Sequence, residues 1–168
     1  MPSQQASSSV DDRMTTAFMV RAIELSMDSV QSGNGGPFGA LVVKDNQIVA
    51  EGTNLVTRNN DPTAHAEIVA VREACKKLRH FQLTGCDIYS SCEPCPMCMA
   101  AFYWARPARI FYAGTRADAA RAGFGDSYIY EQLALPIRQR AIPTVQLMRD
   151  EALEAFRRWA SKADKKQY

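Results

Sequence analysis

Much that would narrow the reading of this 168-residue chain is missing from it. There are only two histidines, His65 and His80. Basic residues outnumber acidic ones by 20 to 18, too small a surplus to argue by itself for a nucleic-acid partner. No apolar run approaches the ~20 residues needed to cross a bilayer. The polar start, Pro2 to Ser9, lacks the apolar stretch of a secretory signal. There is no internal repeat, and no low-complexity segment beyond that serine-rich start. Five cysteines is an odd number, and three lie between Cys92 and Cys98, so they do not form a disulfide framework. They fit reduced, metal-directed thiols in a cytoplasmic protein. What remains is ordinary: 46% hydrophobic and 23% charged residues, enough for one globular domain with a real core.

The chain alternates helical and extended patterns. Residues 1–12 are expected to be a disordered extension, with 13–168 as one domain. Met14, Phe18, Ile23, Leu25, Met27 and Val30 recur at helical spacing over residues 11–32. Gly33-Asn34-Gly35-Gly36-Pro37 then breaks that helix. Residues 38–44 and 48–53 read as strands of a hairpin turning at Asp45-Asn46. The glycine run before them lacks the Lys-Ser/Thr and following helix of a phosphate loop, so a turn or a close backbone approach is its plainer role. A helix over residues 64–78, a strand over 86–91, a helix over 95–104 and a strand over 109–114 follow. Residues 126–135 form a short helix or loop, 144–148 a last strand, and 150–165 a helix with Leu153, Phe156, Trp159 and Ala160 on one face. Residues 97, 99 and 100–104 are apolar nearly all round, which predicts a buried helix. This order is that of an α/β domain with helices covering a central sheet.

Two short segments carry the chemistry: His65-Ala66-Glu67 and Pro94-Cys95-Pro96-Met97-Cys98. One imidazole and two thiolates suit zinc. Three protein ligands leave a fourth tetrahedral position open to water, and zinc lowers the pKa of such a water from ~15.7 to about 7. Both segments open helices, where the positive dipole end favours thiolates and an anionic Glu67. Glu67 alone would be a solvated first-turn carboxylate; beside a zinc ligand it reads as a proton shuttle. A Cys-x-x-Cys pair alone is weak evidence, and its coupling to an upstream His-x-Glu makes it specific. The plain alternative is a closed structural zinc site, with Cys92 or His80 as fourth ligand. Such a site has no use for Glu67. Cys92, Cys75 and Cys86 read as core, and His80 as surface.

Pro37-Phe38-Gly39-Ala40, Asn54, Asp61 to Glu67 and Ser91 to Cys98 resemble the cytidine-deaminase-like superfamily of zinc deaminases, and within it the bacterial guanine deaminases. Tyr103 to Pro107, Ala122 to Ser127 and Lys165 to Tyr168 extend the likeness over nearly everything after Thr15. The resemblance implies a three-layer α/β/α sandwich around a mixed sheet of about five strands. It implies one zinc ion per subunit on His65, Cys95 and Cys98, and a homodimer exchanging C-terminal segments, about residues 140–168. It implies a small-molecule purine substrate: attack of zinc-activated water on C2 of guanine yields xanthine and ammonia, with Glu67 moving the protons. Asn54 and Asp126 would read the base's polar edge, Phe38 and Trp104 would wall it, and Ala66 and Tyr168 would complete the pocket. The family usually shows two acidic residues where this chain has Gly125-Asp126. The competing readings are a guanosine deaminase, a tRNA adenosine deaminase with the same core, and a non-enzymatic zinc-stapled module.

Overall fold

The computed structural model describes residues 4–167, with side chains from residue 12 onward. The chain divides into two compact units, Met1–Asp126 and Ser127–Tyr168.

The first unit runs α1 (Gln4–Ser32), β1 (Gly39–Lys44), β2 (Gln47–Thr53), α2 (Val56–Asn59), α3 (Ala66–Leu78), β3 (Cys86–Cys92), α4 (Pro96–Ala105), β4 (Arg109–Gly114) and α5 (Arg116–Arg121). The four strands lie in the order β2-β1-β3-β4. The β1 strand pairs antiparallel with β2 and β3, and β3 pairs parallel with β4, so the sheet is mixed. Asp45 and Asn46, the expected turn, have φ of 49° and 58°. These left-handed angles make the two-residue turn that matches the twist of paired strands.

Alternation along the strands separates two cores. Ala40, Val42, Cys86 and Ile88 face α3 and α4, where Ala66, Ala70, Ala74 and Phe102 are buried. Leu41, Val43 and Tyr89 face the other way, onto Ala22 and Leu25 of α1. Helix, sheet, helix is the expected three-layer α/β/α arrangement. Small residues set the spacing between layers. A Cβ added at Gly52 of β2 would stand 2.6 Å from the backbone nitrogen of Ala70, and closer still to the carbonyl oxygen of Ala66. The first turn of α3 therefore rests directly on the strand.

Three expectations need correction. The helix expected from residue 11 begins at Gln4. No proline or glycine interrupts that stretch, and adding turns to an existing helix is easier than nucleating one. Secondly, α4 is not buried all round: Tyr103 is 78% and Trp104 62% exposed. Its inward face is Cys98, Phe102 and Ala105. Thirdly, the sheet has four strands, not about five, because residues 144–148 are not a strand among the described residues.

The second unit holds α6 (Ser127–Ala134), a 3-10 turn (Ile137–Gln139) and α7 (Arg149–Ser161). Residues 144–148 follow Pro143 in this unit and have no strand there to pair with, so no ladder forms. None of its three helical segments has a buried residue. Val145, Leu147, Phe156 and Trp159 are all exposed.

Candidate active site

Two helix starts form the site. His65 is the N-cap of α3 and Cys95 the N-cap of α4; both have extended backbone, with ψ of 153° and 168°. His65 thus stands just before the first turn expected to hold it. An N-cap side chain normally folds back on its own helix to accept from free N–H groups. Neither of these does, so each points its donor atom elsewhere. Pro96 takes the first helical position of α4, where a missing N–H costs nothing, and two residues later Cys98 turns inward.

These residues bring His65 Nδ1 to 3.6 Å from the Sγ of Cys95 and to 3.6 Å from that of Cys98. Zinc bonds of about 2.3 Å to sulfur and about 2.0–2.1 Å to nitrogen, at the tetrahedral angle, place sulfur and nitrogen about 3.6 Å apart. Both nitrogen–sulfur distances match that separation, all three donor atoms lie within 4.8 Å of one another, and the site fits one zinc ion per chain. Among the described residues no fourth His, Cys, Asp or Glu joins the group. The closed-site alternative fails on each proposed ligand. Cys92 is buried with its thiol directed at the Thr115 carbonyl. His80 is exposed, and Gln82 N–H donates to its ring.

The electrostatics favour one thiolate, at Cys95. The Cys95 thiol is pushed down to about 4, chiefly by its hydrogen bond with Cys98 and then by His65. Cys98 is pushed strongly upward by that same hydrogen bond, by burial and by the Glu67 charge. Without metal, the pair holds a proton that a cation would displace. The hydrogen bond with Cys95 raises the His65 pKa.

Glu67 lies in the first turn of α3, only 5% exposed. Burial raises its pKa above the ordinary carboxylate range. Ser90 Oγ, on the same buried face of β3, donates to Glu67 Oε1 at 3.3 Å. Sequence reasoning missed Ser90. Its only signal is its register, since inward positions of β3 otherwise carry apolar side chains.

The other expected residues lie at the end of the sheet where β1 begins and β2 and β3 end. Asn54 follows β2 and its N–H donates to the Phe38 carbonyl at 3.2 Å. The Phe38 ring meets Phe124 edge-on, centroids 5.1 Å apart. Phe124 is thus a second ring beside Phe38 that sequence reasoning did not single out, and Asp126, half-buried, lies two residues beyond it. Ala66 is fully buried at the start of α3. Trp104 stands apart: it is six residues past Cys98, about 9 Å further along the helix axis. Tyr168 lies outside the described residues.

This fold, with its metal-ligand triad and buried glutamate, defines a class. The chain belongs to the family of the cytidine and deoxycytidylate deaminase zinc-binding region, whose model matches residues 12–114. The likeness extends beyond that region. The chain is 53% identical over 151 residues to the guanine deaminase of Bacillus subtilis (strain 168), spanning 90% of this chain and 97% of that one. It also superposes on a crystal structure of guanine deaminase from Bacillus subtilis with a TM-score of 0.89, at 52% identity, over 91% and 98% of the two chains. The tRNA-specific adenosine deaminase of Aquifex aeolicus is 40% identical over 77 residues, 46% of this chain and 51% of that one. No helix among the described residues is long and apolar enough to cross a membrane.

Proposed function

We propose that this chain hydrolyses guanine to xanthine and ammonia at the zinc centre, with Glu67 as the acid and base. The observation that carries the chemistry is the three-cornered ligand cluster beside one buried carboxylate. The similarity to a guanine deaminase along 90% of the chain selects the substrate. Zinc supplies a Lewis acid that makes water a usable nucleophile near neutral pH.

The chain's own residues do the rest. Glu67 takes a proton from the attacking water on a carboxylate oxygen and passes it to a ring nitrogen of the base, then takes the second proton from the added hydroxyl as it becomes a carbonyl and gives it to the amine as the C–N bond breaks. A buried carboxyl with a raised pKa suits that alternation between acid and base. Ser90 holds one carboxylate oxygen and so limits the directions Glu67 can take. Phe38, with Phe124, offers an apolar wall for a flat ring. Asn54 and Asp126 read the polar edge, Ala66 lines the floor at the helix start, and Tyr168 completes the pocket, whereas Trp104, exposed and about 9 Å along α4 from Cys98, is left out of it. Replacing Glu67 by Gln is expected to leave zinc bound while turnover falls by about 10²-fold or more. Normal ammonia release from Glu67→Gln would remove it from the mechanism.

The likeness to tRNA-specific adenosine deaminases supports a second reading, with adenosine in RNA as substrate. A net charge of +2 argues against a polyanionic partner. An ammonia-release assay over guanine, guanosine, cytosine and an adenosine-containing RNA stem-loop separates these; release from guanine alone is the expected result.

The working form is a homodimer that exchanges C-terminal segments. Val145, Leu147, Phe156 and Trp159 support this, because a solvated monomer would leave those apolar side chains uncovered. Five free cysteines support a cytoplasmic setting. Sedimentation of the zinc-loaded protein tests the dimer; a monomer at micromolar concentration would overturn it.

A further inference from the structure

The glycine run Gly33 to Gly36 ends in a backbone that does more than turn. The Gly36 N–H donates to Asn54 Oδ1 at 3.4 Å, and the Val56 N–H donates to the same oxygen at 3.2 Å. Two donors converging on one atom fix which way the amide faces, since the opposite orientation would set NH2 against both. The Asn54 side-chain nitrogen makes no hydrogen bond among the described residues, and no buried side-chain N or O there lacks a partner. The 6% of Asn54 that remains exposed must therefore include that nitrogen. Gly35 is part of the device, because a Cβ there would sit 2.7 Å from Oδ1 and closer still to the Asn54 carbonyl.

We propose that the Gly35-Gly36 backbone and the Val56 N–H lock Asn54 as a hydrogen-bond donor only, so the site selects a base that presents an acceptor, a ring nitrogen or carbonyl oxygen, at that point. The selection of the base rests on the function proposed above; the lock does not. An asparagine free to turn could donate or accept, so one base could replace another at little cost. A locked one rejects any base that offers N–H or C–H there.

Asn54→Asp separates the two halves. A carboxylate can still accept from Gly36 and Val56 but has no proton to offer the base. In the zinc-loaded protein it is expected to unfold within about 2 °C of the parent, whereas Asn54→Ala, which strands two N–H donors, unfolds several degrees lower. Guanine binding, read by calorimetry with Glu67→Gln in both proteins to suppress turnover, is expected to be weakened by Asn54→Asp about 10²-fold or more with zinc content unchanged. Gly35→Ala, which displaces the amide, is expected to weaken binding about 10-fold with zinc retained. In the parent, either 3-deazaguanine or 7-deazaguanine is expected to bind at least about 10-fold more weakly than guanine if the acceptor is a ring nitrogen; if both bind normally, the acceptor is the carbonyl. Asn54→Asp binding guanine like the parent, or Asn54→Asp and Asn54→Ala unfolding together well below it, would overturn the lock. Failure of the parent to bind guanine would sink the function instead, and the unfolding order would still decide the lock.

Discussion

Gly52 gives the sharpest test of how the metal site is held. Its missing side chain lets the first turn of α3 lie on β2, and a methyl there would come within 2.6 Å of the Ala70 nitrogen. Ordinary contact begins near 3.4 Å, so in Gly52→Ala the helix start must retreat by at least about 0.8 Å. His65 immediately precedes that turn, and metal-ligand distances tolerate only about ±0.2 Å. The retreat carries the imidazole out of reach of an ion held by Cys95 and Cys98 unless the loop before it yields. Overpacking costs about 1–3 kcal/mol, or roughly 2–4 °C in unfolding temperature per kcal/mol at this chain length. Zinc affinity, measured by competition with a chromophoric chelator, is expected to fall by about 10-fold or more, as for other disturbances of a metal site's support. Gly125→Ala is the control, since its methyl would meet nothing nearer than 3.7 Å. If Gly52→Ala takes up zinc with parental affinity, the claim that this contact positions His65 is refuted.

Other outcomes follow from the same structure. Ser90→Ala is expected to lower kcat about 10-fold with zinc content unchanged, because the bond it removes is long, at 3.3 Å, but buried; Ser90→Thr restores most of the rate, and an unaltered kcat in Ser90→Ala would leave Ser90 without a role. Cys92→Ser is expected to keep full zinc stoichiometry, since its thiol faces the Thr115 carbonyl and not the ion; loss of zinc would revive the closed site. Arg21 holds the Glu51 carboxyl below its ordinary pKa through a paired hydrogen bond of 2.8 and 3.0 Å that ties α1 to β2. A lowered carboxyl stabilises the fold above its unfolded pKa and loses that contribution as pH falls through the lowered value. Arg21→Met is therefore expected to unfold more easily by about 0.5–1 kcal/mol at pH 7, the difference vanishing in acid; a difference that persists there would assign the effect to packing.

How much of this was legible in the sequence depended on chain distance. His65, Glu67, Cys95 and Cys98 sit in two short segments whose spacing fixes ligand type, and their helix starts followed from local pattern. A central sheet covered by helices was legible too, because period-two and period-3.6 stretches alternate clearly between residues 38 and 114, while the three-layer sandwich came from the family resemblance. Ser90 was not, since its meaning comes from the register that sets it across from α3. Nor was the orientation of Asn54, which rests on N–H groups eighteen residues before it and two after. Residues 144–148 carry strand-like composition, but a strand exists only where another offers its ladder. The apolar run of α4 looked like burial because sequence cannot distinguish a face packed inside the chain from one left exposed.

Because His65 and Cys95 hold capping positions without capping their own helices, the ion would serve as a joint fastener for two helix ends. Stripping zinc with a chelator would then loosen more than the chemistry. Amide exchange should quicken first at Glu67 to Val69 and at Met97 to Met99, and the opening turns of α3 and α4 would fray together while the sheet beneath kept its protection.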